Sequence, residues 1–568
     1  MRTSLYLVTA ATVTLLTSVS FAADLPDAGR MLRESTPPPV LTPPAKAPEI
    51  KTPVEPVKPS LPDTVRVRVS GFTYSGNTVF TPKELDRVMA SVIGKEISLS
   101  ELERAVEQIT QAYRTKGYIL ASALLPPQAL KPDQPIQIRI LEGMLEQIDI
   151  KTKPSDSRTP NSLLERYRNR LTTGKPVTSD DLTTTALLVN ELPGIQSRFL
   201  LEPGSQPGTT KAVFEVIEGK PYRVSLYSDN YGNYSTGYYR VGAGVELYSP
   251  FRLGDQLSLR GQSSTSGDSQ SAGIGWSVPV SSSGTRIALD YAWAGYQLGR
   301  GFSSLDAKGD AHSINLSIIQ PLIRTGNLYL NAFISGEGRL LDDRITSADQ
   351  INKRHTANGQ AGVTLYAADN LLGGGSTSFN ISYTGGSLNF DDATARANDQ
   401  SSSGLHTEGI YHKVSGNLSR SQTLFDTVSL YTAINGQWCD KNLDSVEQIS
   451  LGGPNSVRSY PVGEASADLG VISTVELRYL LPKLGPVPGR VQLAGLFDHG
   501  YGEVNKTPLA TTTHNYRHLY GTGFGVNWQW DELVSLRSSV AWRLGELPTS
   551  DNTNGTKPTV YLQAVVRY

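Results

Sequence analysis

The sequence predicts a mixed fold in which two small α+β domains precede a sixteen-stranded antiparallel transmembrane β-barrel. From residue 221 onward, short segments that alternate apolar and polar residues are separated by Gly, Asn, Asp and Ser. This alternation is typical of barrel strands with one face toward lipid and the other toward a polar lumen. Before residue 221, the order strand, helix, helix, strand, strand occurs twice in units of about 75 residues, which indicates an internal repeat.

Composition excludes several classes of function. The chain has 568 residues, with 52 basic and 53 acidic side chains. Because these charges cancel, there is no electrostatic footprint for nucleic acid, and no nucleic-acid partner is expected. Cys439 is the only cysteine, so no internal disulfide can form. No nucleophile elbow, phosphate-binding loop or zinc-protease motif is present, so the sequence suggests no enzyme, cofactor or metal.

The first 22 residues are predicted to be a secretory signal peptide. A basic start at Arg2 leads into an apolar stretch over 5–19, and small residues at Ser20 and Ala22 suit a cleavage site after Ala22. The alternative, a membrane anchor, is disfavoured because the stretch is short. An exported chain with so little cysteine suits a bacterial envelope.

Residues 23–62 precede the folded domains and divide into two segments. Residues 23–35 contain a weak helix signal, with Asp24 as an N-cap and Pro26 in the first turn. Residues 36–62 contain ten prolines among 27 residues. Such a segment favours polyproline II and can act as a spacer up to about 80 Å long. A disordered tail is the alternative that composition leaves open.

Residues 63–144 and 145–220 form the two repeated α+β units. The sequence predicts capping boxes at Thr81 with Glu84 and at Ser98 with Glu101, and Thr178 with Asp181 starts a helix in the second unit. Each unit ends on a Glu-Gly turn, at 142–143 and 218–219. The predicted strands are 119–125, 136–141, 148–151, 196–201 and 212–217, and the second unit's helices are 162–171 and 180–192.

Residues 221–568 contain the predicted barrel strands. A soluble two-sheet β-protein would also alternate apolar and polar residues. The membrane barrel is favoured by the signal peptide, by the length of the region and by the aromatic C-terminal residue Tyr568, which is expected to act as a barrel signal. The sixteen predicted strands lie near 222–231, 237–248, 255–264, 271–280, 284–295, 310–321, 326–337, 356–368, 375–387, 405–418, 424–437, 471–481, 489–499, 515–530, 533–543 and 558–568.

Three local stretches carry a resemblance to a known family. They are "GYILASALLPPQAL" at 117–130, "LLVNELPGI" at 187–195 and "YSDNYGNYSTGYYRVGAGVELYSPFRLGD" at 227–255. Together with the domain order, they make the chain resemble the outer-membrane transporters of two-partner secretion, of the haemolysin and adhesin secretion-activation type. These belong to a superfamily of translocation and assembly barrels whose repeated modules are called POTRA domains. The resemblance covers nearly the whole mature chain.

A fourth stretch, Val457-Arg458-Ser459-Tyr460, resembles the VRG(Y/F) motif of this superfamily. It falls between the eleventh and twelfth predicted strands. The resemblance implies that this connection folds back into the lumen and that its Arg pairs with an Asp on the next-but-one strand. Ser459 replaces the usual Gly, and would cost about 1 kcal/mol if the position needs a positive φ.

The matching partner strand is "VQLAGLFDHGYG", where Phe497, Asp498 and Gly500 fit the family's F-D-x-G pattern. If the Phe497 face meets lipid, the two-residue period of a strand points Asp498 inward. The same reasoning places Glu476 and Arg478 inside, with Glu476 as a second acidic partner for Arg458. A buried Arg–carboxylate pair is directional and can hold a loop in one place.

The resemblance also implies a function. An outer-membrane exporter of this kind would hold its POTRA domains in the periplasm, where they recognise the N-terminal secretion domain of one large exoprotein, such as an adhesin, haemolysin or toxin. The partner would cross the barrel in extended form, and residues 23–35 would be a plug helix. Outer-membrane lipid, periplasmic chaperones and the barrel-assembly machinery are the other implied partners. An outer-membrane assembly factor and a porin-like channel remain as alternatives.

Overall fold

The computed structural model describes residues 26–35, 50–51, 66–131, 134–153, 157–483, 485, 487–509, 514–549 and 558–568. The predicted signal peptide, Asp24 and most of the proline-rich segment at 36–62 lie outside these residues. Among the described residues, no helix is long and apolar enough to span a membrane.

The N-terminal part contains two small modules with the same sheet topology. In the first module, β3 pairs in parallel with β6, which pairs antiparallel with β5; in the second, β7, β9 and β8 repeat this arrangement. This confirms the predicted repeat. In chain order the elements are α1 (Ala28–Ser35), β1 (Ile50–Lys51), β2 (Arg66–Arg68), β3 (Phe72–Ser75), α2 (Pro82–Met89), β4 (Glu96–Ser98), α3 (Leu99–Thr115), β5 (Ser122–Leu124), β6 (Ile136–Leu141), β7 (Met144–Lys153), α4 (Asn161–Arg168), α5 (Ser179–Asn190), β8 (Ile195–Pro203) and β9 (Thr209–Glu218).

The helices of the modules begin where the sequence predicts. Thr81, Ser98 and Thr178 each accept a hydrogen bond from the backbone three residues ahead, and the acidic side chain there bonds back, so all three capping boxes form. The helices then pack on one face of each sheet. The core of the first module includes Leu85 and Ile109, and that of the second includes Phe199.

The Glu-Gly turn that ends each module has a structural role that the sequence did not reveal. Glu142 accepts hydrogen bonds from the backbone nitrogens of Thr78 and Val79, at 2.7 and 2.9 Å, and from the Tyr113 hydroxyl at 2.7 Å. Glu218 accepts in the same way from the loop at 157–159. A buried carboxylate thus fixes the loop before the first helix of each module.

Glu142→Gln is expected to destabilise the first module. Burial by itself would raise the pKa of Glu142, but the hydrogen bonds from Thr78, Val79 and Tyr113 outweigh it and lower that pKa. The stabilisation is therefore present above the ordinary carboxylate pKa of about 4.3 and is lost as pH falls through the lowered value. We expect a loss of about 2 kcal/mol at pH 7.

Hydrogen–deuterium exchange on the full-length protein checks this prediction. Peptides of the first module should exchange faster in the Glu142→Gln variant than in the parent at pH 7, and this difference should shrink as the pH falls through the lowered pKa of Glu142. Peptides of the second module, where Glu218 is untouched, are the internal control. Equal exchange in the first module at pH 7 would contradict the role given to Glu142.

Part of the proline-rich segment joins the second module. Ile50 and Lys51 pair in parallel with Phe199 and Leu200 of β8, so that the sheet has the order β1-β8-β9-β7. This short strand covers the β8 edge, whereas sequence reasoning treated the segment only as a spacer.

Sixteen strands of the described chain close into an antiparallel barrel, as predicted. Each strand pairs with its neighbour along the chain, and β10 closes the ring against β27. The connection between β20 and β23 contains the small hairpin β21–β22. The elements are β10 (Tyr222–Asp229), β11 (Arg240–Tyr248), β12 (Gln256–Ser264), β13 (Ser269–Pro279), β14 (Arg286–Gln297), β15 (Ala307–Arg324), β16 (Leu328–Ile345), β17 (Gln350–Asp369), β18 (Gly375–Phe390), α6 (Ala393–Asp399), β19 (Gly409–Phe425), β20 (Val428–Cys439), β21 (Ile449–Ser450), β22 (Ser466–Ala467), β23 (Leu469–Leu480), β24 (Arg490–Glu503), β25 (Tyr516–Trp530), β26 (Val534–Arg543) and β27 (Thr559–Arg567).

Candidate functional site: the lumenal loop and the plug helix

The connection between β20 and β23, residues 440–468, folds into the barrel and is called the lumenal loop here. Its Leu451, Val457 and Tyr460 are fully buried and pack against Ile472 of β23 and Leu519 of β25. The hairpin β21–β22 closes the base of the loop. An apolar cluster of this kind holds the loop against the inner wall, because those side chains would otherwise face water.

The neighbouring strands explain why the lumenal loop finds charged partners inside the barrel. Leu477 and Phe497 are 54 % and 43 % exposed on the outer face. By the two-residue period, Glu476 and Asp498 face the lumen, where they are 4 % and 0 % exposed. Carboxylates so removed from water require a cationic partner.

Arg458 is that partner. Its Nε and Nη2 atoms donate to the two carboxylate oxygens of Asp498, both at 2.8 Å, and its backbone nitrogen donates to the same group at 3.1 Å. Its Nη1 atom donates to Glu476 at 2.5 Å. The structure therefore brings Arg458, Asp498 and Glu476 together in one buried cluster, with a fork-shaped pairing that fixes both direction and distance.

Two further residues, Arg478 and Thr474, donate hydrogen bonds to the carboxylates of this cluster. Arg478 donates through Nε to the second oxygen of Glu476 at 2.7 Å. The Thr474 hydroxyl donates to Asp498 at 3.0 Å. Two arginines thus face two carboxylates, and every carboxylate oxygen has a donor. Sequence reasoning placed Arg478 inside the barrel but did not identify its contact.

Ser459 and Tyr460 contact the part of the barrel wall that follows β24 in the chain. The Ser459 hydroxyl donates to the carbonyl of Tyr520 at 3.2 Å. The Tyr460 hydroxyl donates to the carbonyl of Glu546 at 2.9 Å, and Tyr561 of β27 donates to the Tyr460 carbonyl at 2.7 Å. The tip of the lumenal loop therefore links β24 and β25 to the last strand of the barrel.

Ser459 fits in place of glycine for a reason that the structure makes plain. Its backbone is not in the positive-φ region, so a side chain brings no backbone strain there. A Cβ added to Gly521 would lie 2.1 Å from the Ser459 hydroxyl oxygen and 2.6 Å from its Cβ. The serine thus occupies space that Gly521 leaves empty.

This packing predicts a compensating pair of substitutions. Gly521→Ala should displace the tip of the lumenal loop and reduce transport, because no real Cβ approaches another atom so closely. Adding Ser459→Gly should restore it, since the nearest remaining Ser459 atom to that Cβ is the backbone nitrogen at 3.6 Å. Secretion assays on the two single variants and the double variant check this, and a double variant as impaired as Gly521→Ala alone would contradict it.

The lumenal loop has three more ionic anchors that sequence reasoning missed. Glu464 pairs with Arg517 of β25 at 2.7 Å. Glu447 pairs with Arg339 of β16 and, at 2.5 Å, with Lys413 of β19. Asp444 pairs with Arg354 of β17 at 2.5 Å. The loop is thus attached to opposite sides of the barrel and spans the lumen. The sequence does contain a signal for these anchors, because each of their basic partners lies at a strand position that the two-residue period points into the lumen.

Helix α1, called the plug helix here, lies inside the barrel beside the lumenal loop. Its Ala28, Met31 and Leu32 pack against Tyr296 of β14 and Leu341 of β16. The helix begins at Ala28, so the predicted start near residue 24 is wrong. Asp27 accepts a hydrogen bond from the backbone nitrogen of Arg30, as an N-cap does, and Pro26 precedes the helix.

The plug helix is bonded both to the barrel wall and to the lumenal loop. Asp27 pairs at 3.0 Å with Arg354, which also pairs with Asp343 at 2.6 Å. Arg33 donates to the carbonyl of Gln448 at 2.6 Å, and Arg30 donates to the carbonyl of Val462. Because Arg354 also holds Asp444, one guanidinium joins the plug helix, the wall and the loop.

The second module lies against the mouth of the barrel. Arg324, at the end of β15, pairs with Glu191 of the module, and the Thr184 hydroxyl donates to the Arg324 carbonyl at 2.8 Å. Arg170 donates to the carbonyl of Ser282 in the β13–β14 turn at 3.1 Å. The module therefore presents its surface at the entrance to the lumen.

Three other residues lie apart from the lumenal cluster. His499, beside Asp498, faces outward and stacks near Tyr520 with ring centroids 5.0 Å apart. Cys439 is buried at the end of β20. Tyr568 closes the barrel, because its backbone bonds to Val224 of β10 in both directions. Its role as an assembly signal stays a prediction.

Comparisons with known proteins agree with this architecture. Residues 208–528 match the family described as haemolysin secretion/activation protein ShlB/FhaC/HecB, and residues 67–143 match the POTRA domain of ShlB type. The chain is 28 % identical over 462 residues to the heme/hemopexin transporter protein HuxB of Haemophilus influenzae strain 86-028NP, covering 81 % of this chain and 80 % of that one.

Other relatives support the same assignment. The chain is 26 % identical over 448 residues to the outer membrane transporter CdiB of Escherichia coli O6:K15:H31, covering 76 % of this chain and 72 % of that one. The solved structure of CdiB from Escherichia coli superposes with a TM-score of 0.69, at 22 % identity, over 91 % of this chain and 93 % of that one, which shows the shared fold. Because the family match covers more than half of its length, the chain belongs to the ShlB/FhaC/HecB family of haemolysin secretion/activation proteins of the outer membrane.

Proposed function

We propose that this protein exports one large partner protein from the periplasm, through the barrel, to the cell surface or the medium. One observation carries the proposal: a POTRA module bonded through Glu191 to Arg324 lies at the mouth of a barrel whose lumen holds a plug helix and a loop. A periplasmic recognition domain beside a closed pore suits a channel that opens for a specific polypeptide.

Recognition begins at the modules. In the first module β5 is an edge strand of the sheet β3-β6-β5, and such an edge can accept an extended segment by strand addition. The partner's N-terminal secretion domain supplies that segment. In the second module, β1 lies on the corresponding edge. Main-chain hydrogen bonds provide affinity, and side-chain pockets on the sheet provide specificity.

Transport then requires the lumen to clear without the barrel losing its shape. The cluster of Arg458, Asp498 and Glu476 holds the tip of the lumenal loop and keeps the barrel competent for transport. The plug helix blocks the resting pore and leaves as the partner enters. The partner crosses in extended form and folds outside, and the protein acts as a translocator rather than an enzyme.

The exported partner is an adhesin, a haemolysin or a toxin, in keeping with the family's haemolysin relatives. Insertion of the barrel itself relies on outer-membrane lipid, on periplasmic chaperones and on the barrel-assembly machinery, as for other barrels of the outer membrane. These assignments belong to the proposal.

Deletion of the gene tests the proposal. Extracellular and outer-membrane proteins of the deletion strain are compared with those of the parent by mass spectrometry. Loss of one large secreted protein with an unchanged outer membrane is the expected result. A broad fall in outer-membrane proteins would instead identify an assembly factor, and no change under conditions of expression would favour a passive channel.

A binding experiment separates the exporter from the passive channel. The periplasmic fragment 63–220 is immobilised and mixed with the unfolded N-terminal region of the protein whose secretion is lost. Specific binding is expected of the exporter. An unrelated periplasmic polypeptide is the control, and equal retention of the two would contradict recognition by the modules.

A further inference from the structure

One periplasmic turn of the barrel exposes two adjacent leucines. Leu371 and Leu372 lie between β17 and β18 and are 63 % and 79 % exposed. Turns of this kind usually contain Gly, Asn or Asp, and two exposed leucines carry a hydration cost with no folded-state contact to offset it.

The backbone of this turn is strained at the more exposed leucine. Leu372 has a φ of 49°, in the left-handed region that glycine adopts freely and a leucine only with strain. Gly373 and Gly374, which follow it, also have positive φ values. A third glycine would relieve the strain at position 372, so the presence of leucine there indicates that its side chain has a partner.

Hydrogen bonds from the side chain of Gln422 determine on which face of the barrel the turn lies. The amide nitrogen of Gln422 lies 2.9–3.1 Å from the carbonyl oxygens of Leu371, Leu372 and Gly374, which share its two N–H donors. Gln422 lies on the outer face of β19, because it shares the two-residue period with Leu418, which is 46 % exposed. The turn therefore curls over the outer, lipid-facing side of the barrel rather than under the lumen.

The same outer face carries an ion pair at this level. Arg420 donates to both oxygens of Asp369, at 2.9 and 3.0 Å, and to Gln422 at 3.0 Å. Both side chains remain partly exposed. Such a pair suits the boundary between acyl chains and head groups, where a guanidinium can also bond a phosphate.

The next periplasmic turn adds to the apolar surface. Leu424 and Phe425, at the end of β19, are 43 % and 72 % exposed. The contacts of the second module with the barrel described above lie at Ser282 and Arg324, on the neighbouring part of the rim. On the outer face of β19, Arg420 and Gln422 lie between these apolar side chains and Leu418 of the lipid-facing wall.

We propose that Leu371, Leu372, Leu424 and Phe425 form a lipid anchor that inserts at the boundary between the acyl chains and the head groups of the periplasmic leaflet, beside the Arg420–Asp369 pair. The anchor fixes the height of the rim on the side that the second module leaves free. Burial of these side chains at the boundary offsets both the hydration cost and the backbone strain of Leu372.

Site-directed spin labelling tests the proposal directly. Since Cys439 is the only cysteine, a Cys439→Ser background allows a single nitroxide at Leu372→Cys in the full-length protein in phospholipid vesicles. Collisions with oxygen and with a water-soluble nickel chelate report its depth. Ile381→Cys, on the outer wall, is the lipid reference, and Leu547→Cys, an exposed leucine in the β26–β27 connection, is the aqueous reference.

The label at 372 is expected to give an oxygen-to-nickel collision ratio nearer to that of position 381 than to that of position 547. A collision ratio equal to that of position 547 would overturn the proposal. It would mean that Leu372 faces water or contacts an exported chain instead of lipid.

Leu372→Gly provides a second, independent test. Because glycine relieves the strain at φ 49°, a leucine with no partner would make this variant as stable as the parent or more so. The lipid anchor predicts the opposite: a lower urea midpoint for unfolding from phospholipid vesicles. Leu547→Gly is the matched control, and an unchanged or raised midpoint for Leu372→Gly would overturn the proposal.

Discussion

Arg458→Ala is expected to reduce export of the partner protein by about tenfold or more while the barrel still inserts into the outer membrane. The substitution leaves Asp498, which is 0 % exposed, without its ionic partner. Breaking a buried pair in this way costs about 3–5 kcal/mol, enough to shift the lumenal loop away from its resting position. Pulse-chase secretion assays measure the effect.

The controls separate transport from assembly. Heat-modifiable migration on gels reports whether the barrel is folded. Arg344→Ala, which removes an exposed arginine from β16, should export at the parent rate. The double variant Arg458→Ala with Asp498→Ala removes the stranded charge and should assemble well, yet still export poorly because the loop lacks its anchor. Export at the parent rate by Arg458→Ala would contradict the role given to the cluster.

Arg354→Ala is expected to open the resting pore. Arg354 is 2 % exposed and pairs with Asp27, Asp343 and Asp444 at once. Without it, three carboxylates face one another in a confined space, and the plug helix loses its bond to the wall. We expect channel conductance in planar bilayers, and cellular uptake of large hydrophilic antibiotics, to rise by about tenfold.

Lys353→Ala is the matched control for this experiment. Lys353 is the preceding residue on β17 but faces outward, where it pairs with Asp342 while half exposed. Its loss should leave conductance unchanged. If Arg354→Ala conducts no more than the parent, the plug helix is not held by this arginine, and the apolar contacts of Met31 and Leu32 must suffice to retain it.

Much of the architecture could be predicted because membrane strands obey a strict period. Alternation placed all sixteen strands, and glycine-rich connections placed their turns. The two-residue period did not predict the strand ends where the strands extend beyond the lipid. The strand predicted at 356–368 is in fact Gln350–Asp369, since Asn352, Lys353 and Arg354 are polar on both faces and give no contrast between them.

The candidate site was only partly predictable. The motif around Arg458 and the inward parity of Asp498 and Glu476 could be read from single stretches. The anchors of Asp27, Asp444 and Glu447 could not, because their ionic partners lie from 34 to 327 residues away in the chain. Ion pairs over such distances follow from the closed barrel and have no local signature.

Site-specific photo-crosslinking inside the barrel tests most directly whether the partner protein passes through the lumen. A photo-reactive residue replaces Asn417, which faces the lumen, or Leu418, which faces lipid and is 46 % exposed. If the partner crosses the lumen, a photo-reactive residue at position 417 should capture it during export, and one at position 418 should not. Export at the parent rate with capture at neither position, or at 418 alone, would show that the partner does not pass through the lumen.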